Sequence, residues 1–326
     1  MSEHAAAKPR IVVMIPTLNE VMHIAETVAN ARQVGEVFVL DSCSTDGTQQ
    51  MARDAGAHVI EHPWEGYARQ KNWGLDNLPV PADWVFILDA DERLTPALRD
   101  EVLRVAASNT PVQGFLVNRV VLFMGRAIRH GGLYPSWNLR FFRFGHCRYE
   151  DRAVHEHMIC DGPTGYLKCE MLHIRRETIS EYIKKHIRYA DLESDEWVRL
   201  KLGQGGGAQP KTMFRDVLRY RQWLRRKVWP KVPARPLLRF LYMYFVRFGF
   251  LDGRAGLHLA QLMASYEYMI SLLYRDKMQR IASGVLKMPA PAPASPSQSI
   301  ATSPAVASAA DRAAPQAATT EADLAH

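Results

Sequence analysis

"DWVFILDADERLTP", Asp83 to Pro96, is the stretch on which the fold turns. An unbroken apolar run, Trp84 to Leu88, ends in Asp89 and Asp91, and a helix signal follows at Thr95 and Pro96. Apolar residues on both faces are what a central strand of a covered parallel sheet needs. Acids at its carboxyl end lie where open α/β sheets bind ligands. Asp-rich turns also arise for local reasons, because Asp tolerates turn angles and caps helices, so the triplet alone does not settle the chemistry.

Working outward, the same grammar repeats. "RIVVMIP" is a continuous apolar strand, "TLNE" a polar turn, and a helix runs from about Val21 to Ala31. "EVFVLDS" is a second strand and "CSTDGTQQMARDAG" a turn into a short helix closed by Gly56. "HVIEHP" and "YARQKNWGLDNL" give a third strand and helix before the stretch quoted first. Apolar strands separated by short helices predict a doubly wound, mostly parallel α/β sheet. Beyond a helix from Thr95 to Ala107, "GFLVNRVVLFMG", "LRFFRF" and "YLKCEMLHI" read as more mixed strands, and "TISEYIKKHIRYADLESDEWVRLKL" as a long helix.

This arrangement predicts a flexible N-terminus at 1–9, the α/β domain at 10–202 and a Gly-rich hinge at 203–210, "GQGGGAQP". The hinge follows a helix and not a strand, so it is no dinucleotide fingerprint. Residues 211–286 form a basic, aromatic helical region, and 287–326 an Ala/Pro-rich tail too poor in apolar residues to build a core. From Lys211 to Arg254 there are twelve Lys or Arg against Asp216 and Asp252, interleaved with Trp223, Trp229, Tyr242, Phe245 and Phe248. Such interleaving suits an anionic membrane face better than nucleic acid, because Trp and Tyr sit well at headgroup level. The apolar stretches 237–251 and 257–274 carry Arg239, Arg247, His258 and Glu267. They fall short of the roughly 20 clean residues of a spanning helix. They are expected to lie on or re-enter a membrane, or to pack on the domain.

At 326 residues, 47% hydrophobic and 10% aromatic, the chain is a folded protein with ample core; its net charge is +7. Four cysteines with no CxxC spacing predict reduced thiols and a cytoplasmic setting. The N-terminus shows no apolar region of the length a secretion signal needs.

"IPTLNE", "VLDSCSTDGT", "ARQKNWGL" and "FILDADE" occur in that order, each at a strand end or on the helix between. Together they resemble family 2 glycosyltransferases, inverting enzymes with the nucleotide-diphospho-sugar fold called GT-A. "HGGLYPSWNLRFFR", "VHEHM", "LHI" and "YFVRFGFLDGRAG" narrow the resemblance to the lipopolysaccharide core glucosyltransferase subgroup. The likeness covers about residues 10–200. It implies transfer of a hexose, typically glucose from UDP-glucose, to an inner-core heptose or another lipid-linked acceptor, with Mg²⁺ or Mn²⁺ as cofactor.

The resemblance also implies residue roles. Pro16, Thr17, Asn19 and Glu20 line the mouth of the first strand, where the nucleoside is held; Glu20 is equally suited as a helix-start acid. Asp41 takes the place of the aspartate that bonds base or ribose, as a carboxylate accepting two donors can. Ser42 stands where the family usually has a second acid. Asp46 reads as a helix cap. Lys71, with Arg69 beside it, faces the diphosphate or is a surface cation. Asp89 and Asp91, two apart on an extended strand, point the same way and converge on one hard cation. In the family pattern Asp91 ligates directly, Asp89 is nearer the ribose or an outer ligand of the metal, and Ala90 between them belongs to the nucleotide-sugar site. His173 falls where a late histidine reaches the metal or diphosphate. Gly131 and Gly132 allow close backbone approach to the donor sugar. Tyr134 and Trp137 are sugar-stacking or core aromatics. Inversion needs a base opposite the leaving group; Glu156 in "VHE" is the first candidate, Asp151 the second, Glu150 the third. His155 and His157 with Cys147 and Cys160 match no zinc spacing.

Two rival readings are weaker. A nucleotidyltransferase needs a Gly-rich basic loop after the first strand, and "IPTLNE" has neither glycine nor cation. A degenerate, non-enzymatic sugar-binding protein is at odds with intact Asp89, Asp91 and Glu156.

Overall fold

In a computed structural model the structure describes residues 8–150, 158–174, 178–202, 232 and 234–286. Its centre is a nine-stranded sheet in the order β3-β2-β1-β4-β8-β6-β11-β5, with β7 paired to β6. The strands are β1 (Ile11–Thr17), β2 (Glu36–Asp41), β3 (His58–Glu61), β4 (Trp84–Ile87), β5 (Glu92–Leu94), β6 (Gly114–Phe123), β7 (Arg126–Ile128), β8 (Trp137–Arg143) and β11 (Thr164–Ile174). β3, β2, β1 and β4 are parallel, β8 turns antiparallel between β4 and β6, and β11 runs parallel to β6. The expected doubly wound half is therefore followed by a mixed half, as the less regular later strands foretold.

Helices cover both faces. α1 (Val21–Ala31), α2 (Thr48–Asp54) and α4 (Pro96–Ala107) bury Ile24, Val28, Ala52, Leu98 and Val102 against Val13, Ile15, Val39 and Phe86. α3 (Tyr67–Asp76) places Leu75 on the other face with Met14, Leu40 and Ile87. Each such side chain contributes roughly 1.5–3 kcal/mol by leaving water. Trp84 lies parallel to Phe141 at 4.7 Å, which fixes the β4–β8 seam. α5 (Ile179–Lys201) begins with a capping box, Thr178 and Glu181 bonding each other's backbone amides.

A two-stranded hairpin, β9 (Cys147–Tyr149) and β10 (Met158–Cys160), sits beside α3. Its register sets Cys147 directly opposite Cys160, and the two form a disulfide. This corrects the expectation of four reduced thiols: sequence spacing hides a partner brought opposite by strand pairing. Cys43 and Cys169 are free.

The C-terminal region continues as α6 (Arg235–Leu241), a wide helical turn over Tyr242–Val246, a tight turn over Gly249–Asp252 and α7 (Gly253–Ala282). α7 packs through Ala260, Met263, Tyr266 and Ile270, burying part of its surface against α5. Of the two apolar stretches, 257–274 is thus largely a packing element. The other leaves Leu237, Phe245, Val246, Phe248 and Leu251 each more than half exposed. No described helix is long and apolar enough to cross a membrane. The hinge at 203–210 and the tail from 287 lie outside the described residues.

Candidate active site

The carboxyl ends of β1, β2 and β4 lie side by side at one edge of the sheet, and the loops that follow β1 and β2 are tied to one another. Asp41, fully buried at the end of β2, accepts from Thr17 Oγ1 (2.9 Å), Ser44 N (2.7 Å), Ser44 Oγ (2.6 Å) and Gln49 Nε2 (2.8 Å). Its oxygens accept four bonds inside the protein, and these tie the loop after β2 together. Thr17 shares that internal role. Ser42 accepts from Gln70 Nε2 at 3.1 Å, so the missing second acid is replaced by a neutral buried bond. Asn19, in a left-handed conformation, accepts from Thr45 N through its side-chain oxygen and donates its backbone amide to Ser44 Oγ. Asp46 precedes the N-cap of α2, which is Gly47, and accepts from Thr48 N at the start of α2 and from Val21 N at the start of α1.

β4 ends at Ile87, before the acids. The chain then turns, Glu92 N donating to the Asp89 carbonyl at 2.9 Å, and β5 leaves antiparallel to β11. The premise of an extended strand through Asp91 therefore fails, and the two carboxylates have different partners. Asp89 is gripped by Arg140 of β8, with Nη2 at 2.7 Å and Nη1 at 3.3 Å. Arg140 also reaches Glu92 at 3.0 Å, and Arg119 approaches Glu92 at 3.5 Å. Burial alone would raise the Asp89 carboxyl, but Arg140, with Lys71 and Arg119, holds it well below the usual carboxylate range. Ala90 is buried, its carbonyl accepting from Thr27 and, at 3.1 Å, from Arg93.

Asp91 stands with its Oδ1 3.5 Å from His173 Nδ1 on β11. Ile174 N bonds the Asp91 carbonyl at 2.7 Å, locking β11 to this turn. Burial first, then the charges of Glu92, Asp89 and Glu20, push the Asp91 carboxyl up to about 8. Burial, Asp89 and Asp46 likewise push Glu20 up to about 7. Arg119 and Lys185 offset this only in part, so Asp91 and Glu20 are acids whose charged forms the protein alone does not fully compensate. Among the described residues no group of three or more His, Cys, Asp or Glu side chains closes a metal cage. Asp91 with His173 makes an incomplete donor set, which suits a hard cation whose remaining ligands are phosphate oxygens and water.

Lys71 stands on α3 with its Nζ 4.9 Å from the Tyr149 ring, near enough for its charge to lower Asp89. Arg69 is exposed. Asn72 clasps the Tyr149 backbone through both amide atoms, so β9 is fastened next to Lys71. Glu156 and Asp151, with His155 and His157, lie outside the described residues. Gly131 and Gly132 have left-handed φ of 72° and 85°, as glycine permits. Their close approach is to the C-terminal region: a Cβ on Gly131 would meet Met243, and one on Gly132 would meet Arg247. Pro16 is half-buried beside Leu40 in the β1–β2 ladder. Tyr134 bonds Glu170, and Trp137 packs edge-on against Tyr166 at 4.9 Å.

A family model described as glycosyl transferase family 2 matches residues 12–166. The lipopolysaccharide core biosynthesis glycosyltransferase LpsC of Rhizobium meliloti (strain 1021) is 32% identical over 188 residues, 56% of this chain and 69% of that protein. The chain belongs to glycosyl transferase family 2. An uncharacterized glycosyltransferase of Rickettsia felis is 35% identical over 130 residues, 40% of this chain and 45% of its own length. Glucosyl-3-phosphoglycerate synthase from Mycobacterium tuberculosis, solved with Mn²⁺, UDP and glucosyl-3-phosphoglycerate, is 25% identical with a TM-score of 0.30. That superposition covers 36% of this chain and 45% of the other. As a member of the family, the chain carries its order of motifs on the parallel half of the GT-A sheet, with β4, β5 and β11 meeting at Asp91.

Sequence reasoning missed the ionic group around Arg140. Its one signal was a charge in the middle of "LRFFR", an otherwise apolar strand.

Proposed function

We propose that this family 2 glycosyltransferase moves a hexose, glucose from UDP-glucose in the first instance, onto a hydroxyl of a lipopolysaccharide inner core or another lipid-linked glycan, with inversion. The observation that carries the reading is Asp91, set 3.5 Å from His173 and raised to about 8 beside Glu20. A divalent cation fits that donor set. Asp91 and His173 would hold Mg²⁺ or Mn²⁺, which when bound supplies charge neutralisation for the departing diphosphate.

The chain's own residues do the rest. Arg140 keeps Asp89 ionised and fixed just beyond the end of β4, on the ribose side. Lys71 adds a positive charge on the diphosphate side. Asn19 and Glu20 flank the nucleoside on a loop that Asp41 and Ser44 hold rigid. Glu156, with Asp151 second, takes the proton from the acceptor hydroxyl.

The acceptor side supports a membrane setting on the inner face of the cytoplasmic membrane. Phe245 (53% exposed), Phe248 (55%) and Leu251 (53%) stand clear of the core on a segment that also carries Arg239, Arg247 and Arg254. Exposed aromatics with arginines suit an anionic lipid surface.

Incubation with a panel of nucleotide-sugars and a truncated lipopolysaccharide acceptor tests the reading. UDP release that needs both Mn²⁺ and acceptor, strongest with UDP-glucose, is expected. No divalent-dependent turnover of any donor would refute it.

A further inference from the structure

A cavity of about 250 Å³ lies between the turn after β7 and the C-terminal region, walled by Arg129, His130, Tyr134, Val246, Arg247 and Phe248. Three of these walls are held by internal acids. Asp252, only 4% exposed, accepts from His130 Nδ1 at 2.9 Å and from the amides of His130 and Arg129 at 2.8 and 3.2 Å. Glu170 takes both Arg129 and the Tyr134 hydroxyl, and these bonds hold it below the usual carboxylate range despite its burial.

Arg247 is different. Its backbone is pinned, its carbonyl accepting from Gly131 N at 2.9 Å and its amide donating to the Tyr242 carbonyl at 2.8 Å. Its side chain lies over Gly132, with Nε 3.4 Å from where a Cβ would stand. Among the described residues no acid pairs with it. An arginine with a pinned backbone, in a cavity whose other polar walls are already held by acids behind them, suits an anion, since guanidinium matches phosphate and carboxylate in a two-point bond.

The cavity is also well placed. Glu170, which holds Arg129 and Tyr134 of its wall, lies three residues before His173 on β11, about 10 Å of strand. Its rim, Val246 and Phe248, is the exposed apolar segment. An occupant would therefore span from the lipid side toward the reaction centre.

We propose that this cavity is the acceptor's anion subsite, taking a phosphate or carboxylate group with Arg247 as its charged contact. The inference rests on the transferase reading and adds which end of the acceptor is recognised, and by what. The anion can sit on the glycan or be a lipid headgroup; the chemistry is shared.

The test uses the full chain as wild type, Arg247→Gln and Arg247→Lys, with UDP and Mg²⁺ saturating so that the donor site is filled. Inorganic phosphate is titrated by calorimetry, and sedimentation with phosphatidylglycerol or phosphatidylcholine vesicles is measured in parallel. Phosphate should bind the wild type about tenfold or more tightly than Arg247→Gln, with Arg247→Lys between them. If sedimentation with phosphatidylglycerol falls in step, the anion is a headgroup; if it is unchanged, the anion belongs to the glycan. Equal phosphate affinity in wild type and Arg247→Gln overturns the subsite. UDP binding, read on the same samples, reports separately on the transferase reading, and matching melting temperatures show that the variants fold.

Discussion

Replacing Asp91 by Asn should abolish transfer and stabilise the metal-free protein at the same time. The Asp91 carboxyl stands at about 8 in the folded chain against an ordinary 3.8. An acid raised on folding means that the native state holds more protons between those values. Stability therefore falls as pH rises from about 4 to about 8. At pH 7 about three units of that gap are in force, or about 4 kcal/mol. The side chain is 21% exposed, so water and relaxation reduce this, and we take about 2 kcal/mol. Asn keeps the shape and carries no charge, so that penalty disappears. At roughly 2–4 °C per kcal/mol for a domain of this size, the variant should melt about 5 °C higher in chelator at pH 7. At pH 5 the difference should shrink by more than half. Transfer should fall at least about a hundredfold. Differential scanning calorimetry across pH, beside an activity assay, gives both numbers. Unchanged or lower melting of Asp91→Asn at pH 7 would show that Asp91 is not a strained acid awaiting a cation.

Other consequences can be measured directly. Arg140→Leu leaves Asp89 and Glu92 buried without their shared partner, and should destabilise the fold by about 3–5 kcal/mol in urea melts; a loss under 1 kcal/mol contradicts the ionic group. Gly256→Ala puts a Cβ 2.0 Å from the Gly249 carbonyl oxygen, so the turn before α7 must shift, lowering the melting temperature by several degrees. An unaltered melt would mean that turn is not docked as described. Mn²⁺ affinity should rise nearly tenfold per pH unit from 6 to 7.5, because Asp91 must lose a proton before it can ligate. A flat profile by equilibrium dialysis would argue against Asp91 as ligand.

Much of the parallel half could be read from the chain, because local signals there agree. The apolar run of β1 and the spacing of Ile24, Val28 and Ala31 give strand and helix without outside help. Gly56, with its left-handed φ of 90°, marks the end of α2 as its position suggested. The turn at Asp89 was misjudged because Leu88 and Ala90 are buried like strand residues although the strand has already ended. Contacts between distant residues were out of reach. Arg140 meets Asp89 across 51 positions, and Asp252 meets His130 across 122. The Cys147–Cys160 pair is set by hairpin register, which no spacing template captures. Asp41 was recognised as important, but its burial under Thr17, Ser44 and Gln49 depends on a loop geometry that motifs do not encode.

UDP affinity with and without Mn²⁺, measured by calorimetry on the wild type and on Asp91→Ala, tests the central claim most directly. Manganese should tighten UDP at least tenfold in the wild type and less than twofold in the variant. Wild-type protein that binds UDP equally well in chelator and in Mn²⁺ would contradict a cation held between Asp91, His173 and the diphosphate.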